Sequence, residues 1–364
     1  MTSIARITRQ CWNGLPYLQK ELGRRASLYS GQVLATPMTY YIIFGGRCNL
    51  ACSFCEVDVH SELKLSREAM LRVIREAKDL SGSGFNISLS GGEPTIYKPL
   101  IETLQLASDI GVNMGFTTNG LSLIESNVKR ILACNPFNIN VSLESVDPKV
   151  NESLRPAQDG TRRTLRGIDN VLAEKARTGA RTSVIVKPTI MEQNYRGLPD
   201  LVRHFGKQSP VQINFQPYVG MAGSRFWVSD LANLRRVFDE LLSLQQEGYR
   251  VMASPQQYES FNHYFANPPK QGAVKQHLDL GGQKRNCDIG LRSMFLYADG
   301  DVFFCDYLGK PVGNIHQNSL SEIYYGQAAG GQRKQMVYCN IDCQQTCKRP
   351  IPLLVKARSF LRMY

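Results

Sequence analysis

The feature that most constrains this chain is a thiol triplet, Cys48, Cys52 and Cys55, set directly behind the apolar run Tyr40-Tyr41-Ile42-Ile43-Phe44. The run is short, aromatic and β-branched, so it reads as a buried strand, and Gly45-Gly46-Arg47 opens a loop after it. Cysteines spaced C-x3-C-x2-C on one loop are soft donors held close together, which is a metal-ligand pattern. A structural zinc site closes with four protein ligands, and only His60 lies near enough in sequence to complete one. The triplet better suits a cubane iron–sulfur cluster with thiolates on three irons and the fourth iron open; zinc is the alternative.

Ten cysteines in 364 residues would mean disulfides in a secreted protein. The segment Met1 to Gln19 lacks the apolar stretch and small-residue cleavage site of a secretory signal, so a reducing cytoplasmic setting is expected, with the thiols as ligands. No window approaches the roughly 20 apolar residues of a membrane span. A formal charge of +12 suggests an anionic partner or simply a solvated basic surface. No RNA- or DNA-reading motif accompanies it, and nucleic acid is not expected as a partner.

Downstream of Tyr40–Phe44, five more β-rich runs alternate with helical patterns: 86–89, 113–116, 137–141, 183–186 and 211–215. The clearest helix follows Ser66, with Ala69, Leu71, Ile74 and Leu80 on its apolar side and no full capping box, because Ala69 stands where a Glu would complete one. Six βα units predict an α/β fold, a partial (β/α)6 TIM barrel, with ligands at the C-terminal strand ends. The chain divides into a basic N-terminal extension (1–38), the barrel (39–235), a helical and Pro/Gly-interrupted connection (236–281) and a small cysteine-rich domain with a basic tail (282–364).

With these residues in place, the triplet resembles the signature of the radical SAM (S-adenosylmethionine) superfamily. That resemblance implies a [4Fe–4S] cluster on Cys48, Cys52 and Cys55 whose open iron chelates SAM, electron transfer then releasing a 5′-deoxyadenosyl radical. Further residues match the family after successive strands. Gly91-Gly92-Glu93-Pro94 resembles the segment whose backbone carbonyls take the SAM amine. Thr117, Thr118, Asn119, Ser142 and Glu144 stand where hydroxyl and carboxylate groups meet the ribose and methionine ends, Glu144 in place of the family's more frequent Asp. Arg155 resembles the arginine that pairs with the SAM carboxylate, and Phe54 is placed beside the adenine or in a plain core contact. Such enzymes draw electrons from an external low-potential donor such as flavodoxin or ferredoxin.

A second cysteine group begins at Cys287. Asp299-Gly300-Asp301 reads as a hairpin turn joining Met294–Tyr297 to Val302–Phe304, which brings Cys287 and Cys305 towards one centre, while Cys339, Cys343 and Cys347 recur at C-x3-C-x3-C. The stretch C-x12-G-x4-C, with Gly313-Asn314-Ile315 and Ser319–Tyr324 beyond it, resembles the SPASM/Twitch auxiliary-cluster domain. A full SPASM domain has more cysteines; five suffice for one complete auxiliary [4Fe–4S] cluster, on Cys287, Cys305 and two of Cys339, Cys343 and Cys347, with zinc again the alternative. Isolated Cys11 and Cys134 read as free thiols.

The resemblance implies a radical SAM oxidoreductase. Its expected substrate is a small or lipid-linked polar metabolite undergoing dehydrogenation, decarboxylation or epimerisation. A ribosomal-peptide maturase is the alternative, and a non-catalytic iron–sulfur or zinc protein is the rival of another class. Tyr218, Asp288, Asp306 and Tyr307 lie where substrate contacts are expected. The basic, apolar tail Lys348–Arg362 and the basic N-terminal segment add the expectation of a peripheral membrane contact.

Overall fold

The computed structural model describes residues 3–220, 222–268, 287–305 and 309–336. Cys339, Cys343, Cys347, Asp306, Tyr307, residues 269–281 of the connection and the basic C-terminal tail lie outside the described residues. The chain begins with α1 (Ser3–Ser30), β1 (Thr39–Ile43), α2 (Arg67–Ser81), β2 (Asn86–Ser90), α3 (Leu100–Asp109), β3 (Asn113–Thr118), α4 (Glu125–Ala133) and β4 (Asn138–Val141). It continues with α5 (Pro148–Leu154), α6 (Gly160–Thr178), β5 (Ser183–Val186), β6 (Thr189–Ile190), α7 (Leu198–Phe205), β7 (Gln212–Ile213) and β8 (Gln216–Pro217). After α8 (Leu231–Gln246) and α9 (Pro255–Ala266) come α10 (Ile289–Arg292), β9 (Ser293–Leu296), β10 (Asp301–Phe303), β11 (Gly313–Asn314), α11 (Leu320–Tyr325) and α12 (Gln327–Met336).

The main sheet has nine strands in the order β11-β10-β9-β1-β2-β3-β4-β5-β7. From β9 to β7 every neighbour pair is parallel, and the six expected strands are there in the expected sequence order. Short β6 and β8 pair with each other beyond β5 and β7. Pro188, which has no N–H to give a ladder, stands at the break between β5 and β6.

Alternation along the strands sorts the two faces. Tyr40, Ile42, Ile87, Leu89, Met114, Phe116 and Ile139 are buried against the surrounding helices in the main core. The opposite face carries a polar ladder across β3 and β4: Asn138 Nδ2 donates to Asn140 Oδ1 at 3.0 Å, and Asn140 Nδ2 to Thr117 Oγ1 at 3.3 Å. Gly115 makes room for this ladder, since a Cβ there would sit 1.6 Å from Asn138 Oδ1. Polar inward residues at small cost in packing are what a chamber, rather than a filled barrel, requires.

Ser66 caps α2 as expected, its hydroxyl accepting from Ala69 N at 3.1 Å. The N-terminal extension is more than a basic arm. Asn13-Gly14-Leu15-Pro16 has the composition of a turn, yet α1 runs through it. Tyr17 explains where the helix goes: its hydroxyl donates to Asn86 Oδ1 at 2.9 Å and accepts from Asn113 Nδ2 at 3.1 Å. Those asparagines begin β2 and β3 on the inward side, so α1 lies across the N-terminal end of the barrel.

The second half of α1 is tied to the C-terminal region. Arg24 Nη2 donates to Glu21 Oε1 at 2.5 Å and its Nη1 pairs with the Asp288 carboxylate, with both Arg24 and Asp288 side chains at most 3% exposed. Asp288 therefore does not face a substrate; it is an internal anchor. Breaking a buried pair leaves an uncompensated charge, which costs about 3 kcal/mol at the lower end of the usual range. We expect that cost for Arg24→Met, because Arg292 still lies near enough to Asp288, and Arg25 to Glu21, to stabilise both charges; urea unfolding would measure it.

The C-terminal hairpin does not form a sheet of its own. Strand β9 pairs with β1 from Thr39↔Ser293 to Ile42↔Leu296, and Tyr41 stacks on Phe295 with ring centres 4.7 Å apart. The hairpin turn itself is as read, with Gly300 at φ +88° between β9 and β10. No described helix is long and apolar enough to cross a membrane.

Candidate active site

The thiol loop leaves β1 and is pressed against the turn that leaves β2. Gly92 N donates to Gly45 O at 2.8 Å and Glu93 N to Arg47 O at 3.0 Å. A Cβ on Gly92 would stand 1.9 Å from Arg47 O, and one on Gly91, at φ +125°, would stand 2.5 Å from Gly45 O. The two glycines thus let one backbone lie directly on the other.

Glu93 then organises the next strand end. Its buried carboxylate accepts from Thr95 N at 2.9 Å, Thr95 Oγ1 at 2.5 Å, Thr118 Oγ1 at 2.7 Å and Asn119 N at 2.8 Å. Asn119 Nδ2 returns to the thiol loop, donating to Asn49 Oδ1 at 2.7 Å. Three consecutive strand ends are laced together around one carboxylate.

A third contact comes from α5 and its C-terminal Arg155. Arg155 Nε and Nη2 donate to Glu144 Oε1 at 2.9 and 2.6 Å, Nη1 reaches Cys52 Sγ at 3.5 Å, and the guanidinium lies 5.1 Å from the Phe54 ring centre. Glu144 Oε2 accepts from Thr189 N at 2.6 Å, at the break after Pro188. Ser53 N donates to Leu154 O at 3.0 Å, so the thiol loop is held from this side too.

Burial pushes the Cys48 and Cys52 thiols above the ordinary cysteine range, while Arg155 pulls Cys52 back down. Burial likewise raises the Glu144 carboxyl, opposed by its contacts with Arg155 and Thr189. Thiols so placed give up their protons when a metal takes them, and Arg155 is positioned to offset the charge that ligation leaves on Cys52.

These elements enclose a cleft of about 160 Å³ at the C-terminal strand ends. Cys48, Cys52, Cys55, Phe54, Gly91, Gly92, Glu93, Thr117, Thr118, Asn119, Ser142 and Arg155 all line it, as does Ser90. Pro94 and Glu144 do not: Pro94 is buried at the start of a 3-10 turn, and Glu144 is wholly buried with its oxygens engaged by Arg155 and Thr189. Glu144 therefore holds Arg155 instead of meeting a ligand. Leu50, Val57 and Val59 complete the lining, and only their position beside the cysteines could have suggested them.

Phe54 begins an aromatic row. Its ring is 6.2 Å from Phe226, which is 5.5 Å from Tyr218; Tyr218 itself does not line the cleft. Cys134 is a buried thiol donating to Arg130 O at 3.4 Å, in keeping with a structural role.

The donor set fits an iron–sulfur cube. Three soft thiols from one loop face one cleft, bounded opposite by closely laid backbone and a guanidinium, with room for a non-protein ligand. Among the described residues no three His, Cys, Asp or Glu side chains gather around a single-ion position. A cube accommodates that spread, because each thiolate takes a different iron.

Cys287 and Cys305 lie elsewhere. The chain beyond β10 runs back towards the start of β9, where α10 and Cys287 enter, so this pair stands at the opposite end of the sheet from the triplet. Both are partly buried against the core.

An open parallel barrel with a three-thiol cluster loop at the ligand-binding ends of its strands defines a cofactor-dependent iron–sulfur enzyme. A model of the radical SAM superfamily matches residues 42–193, and one of the SPASM iron–sulfur cluster-binding domain matches residues 287–349. The chain carries a radical SAM domain and a SPASM iron–sulfur cluster-binding region. It is an enzyme that uses SAM and a [4Fe–4S] cluster, with auxiliary iron–sulfur ligation in its C-terminal region.

Among curated proteins it is similar to the Fe-coproporphyrin III synthase of Methanosarcina barkeri, 26% identical over 83% of this chain and 78% of that one. It is also similar to the sporulation killing factor maturation protein SkfB of Bacillus subtilis, 24% identical over 79% of this chain and 64% of SkfB. In fold it resembles Streptococcus suis SuiB bound to S-adenosylmethionine, with a TM-score of 0.63, 20% identity and coverage of 85% and 70% of the two chains. SuiB has also been solved with its precursor peptide SuiA.

Proposed function

We propose that this enzyme abstracts hydrogen from a peptide substrate and so acts as a ribosomal-peptide maturase. The similarity to SkfB carries this reading, because it spans most of the present chain. The likeness to SuiB supports the same architecture. The comparisons favour this alternative over the small or lipid-linked metabolite expected from sequence.

In this reading Cys48, Cys52 and Cys55 hold the SAM-binding cluster, and Cys287, Cys305 and two of Cys339, Cys343 and Cys347 hold an auxiliary one. When bound, the reduced cluster supplies the electron that cleaves SAM to the 5′-deoxyadenosyl radical. The carbonyls of Gly91–Glu93 take the SAM amine, Arg155 its carboxylate, and Thr117, Thr118, Asn119 and Ser142 the ribose and methionine ends. Phe54 covers the adenine, and Glu144 keeps Arg155 aimed by engaging two of its nitrogens. An external flavodoxin- or ferredoxin-type donor supplies the electron.

A second reading has its own support. The Fe-coproporphyrin III synthase aligns over more of this chain than SkfB does, and a net +12 suits a carboxylate-bearing tetrapyrrole. The two readings separate in one assay. Anaerobically reconstituted enzyme is given SAM, reductant and either short peptides encoded beside its gene or iron coproporphyrin III, and 5′-deoxyadenosine is followed with product mass. Peptide-stimulated cleavage with an altered peptide mass is expected. Stimulation by the tetrapyrrole alone would replace the peptide reading with the second.

A further inference from the structure

The auxiliary site's ligand-bearing segments converge on one side chain. Arg333, on α12, donates from Nε to Gly290 O at 2.9 Å, and Gly290 is three positions beyond Cys287. The same guanidinium lies 4.6 Å from the ring centre of Phe304, the residue before Cys305. It is 4.2 Å from the ring of Tyr324, whose hydroxyl donates to Ala35 O at 2.9 Å ahead of β1. Helix α12 itself ends at Met336, three positions before Cys339.

The packing here has no slack. A Cβ on Gly290 would meet Met336 Sδ and Phe304 Cδ2 at 3.0 Å and Arg333 Cγ at 3.2 Å. Among the described residues, the buried Arg333 Nη2 has no hydrogen-bond partner. The planar guanidinium stacks on two rings while its Nε donates to a backbone carbonyl, a combination that a lysine ammonium could not reproduce.

We propose that Arg333 is the positioning residue of the auxiliary cluster. It locks the backbone after Cys287, the ring before Cys305 and helix α12 into one arrangement. The inference rests on the reading of Cys287 and Cys305 as cluster ligands.

The test uses a full-length parent in which Cys48, Cys52 and Cys55 are all alanine, so that only auxiliary iron is counted after anaerobic reconstitution. Into it go Arg333→Met, Arg333→Lys and Gly290→Ala. Outer-shell partners commonly carry 10- to 100-fold in metal affinity, so Arg333→Met is expected to lose iron to a chelator about tenfold more readily than the parent. Arg333→Lys keeps charge but not the planar fork, and is expected to retain iron with a shifted electron paramagnetic resonance spectrum and midpoint potential. Gly290→Ala, which leaves Arg333 in place but crowds it, is expected to shift the same spectrum.

Equal iron retention in Arg333→Met and parent, or unchanged spectra in both milder variants, overturns the proposal alone. A parent that takes up no iron overturns the ligand reading, and the proposal with it.

Discussion

Replacing Cys52 with alanine is expected to abolish 5′-deoxyadenosine formation, by more than about a hundredfold, the most that loss of a mere outer-shell partner costs a metal site. Cys52 is the central thiol of the triplet, and its Sγ is the one that Arg155 reaches, at 3.5 Å. The loop's backbone anchors do not use the thiol: Ser53 N still meets Leu154 O, and Cys55 N still meets Cys52 O. Cys52→Ala should therefore fold and keep its auxiliary iron while losing that of the first cluster. Iron counting, thermal unfolding and a reductant-dependent assay on the same preparation would show the three results separately. Undiminished SAM cleavage would remove the triplet from the chemistry.

Glu93→Ala should cost stability as well as activity. Four hydrogen bonds converge on this buried carboxylate, from Thr95 N, Thr95 Oγ1, Thr118 Oγ1 and Asn119 N. Bonds to a charged group contribute about 1.5–3 kcal/mol each and do not add fully, so a loss of about 5 kcal/mol is expected. Glu93→Gln keeps the shape but turns an amide N–H₂ towards donors, and should recover only part of that loss. Urea unfolding of the three proteins would check the order. An alanine variant as stable as wild type would show that water replaces the carboxylate at no cost, and that the lacing of strand ends is incidental.

The barrel could be read from the sequence because its signal is local. Strands such as Asn86–Ser90 alternate buried and partly exposed residues over a few positions, and the turn residues fall between them. The cleft was legible for a related reason: parallel strands deliver the loops after β1, β2 and β3 to one edge, so motifs counted along the chain meet in space. What stayed hidden depends on partners far away in sequence. Arg24 and Asp288 are 264 positions apart, and nothing near either in the sequence points to the other. Glu144 sits among cofactor motifs, yet nothing local says that its oxygens turn towards Arg155 and Thr189. In α1 a local signal misleads, since the apparent turn at Asn13–Pro16 is overridden by the docking of Tyr17 onto two asparagines.

The pairing of β1 with β9 has an electrical consequence. The triplet leaves one end of this two-strand ribbon, and Cys287 and Cys305 stand by the other. Five residues of extended chain span about 16 Å. Under the proposed ligand assignment the two clusters would sit a strand length apart, and an electron passing between them would travel the length of the β1–β9 ribbon.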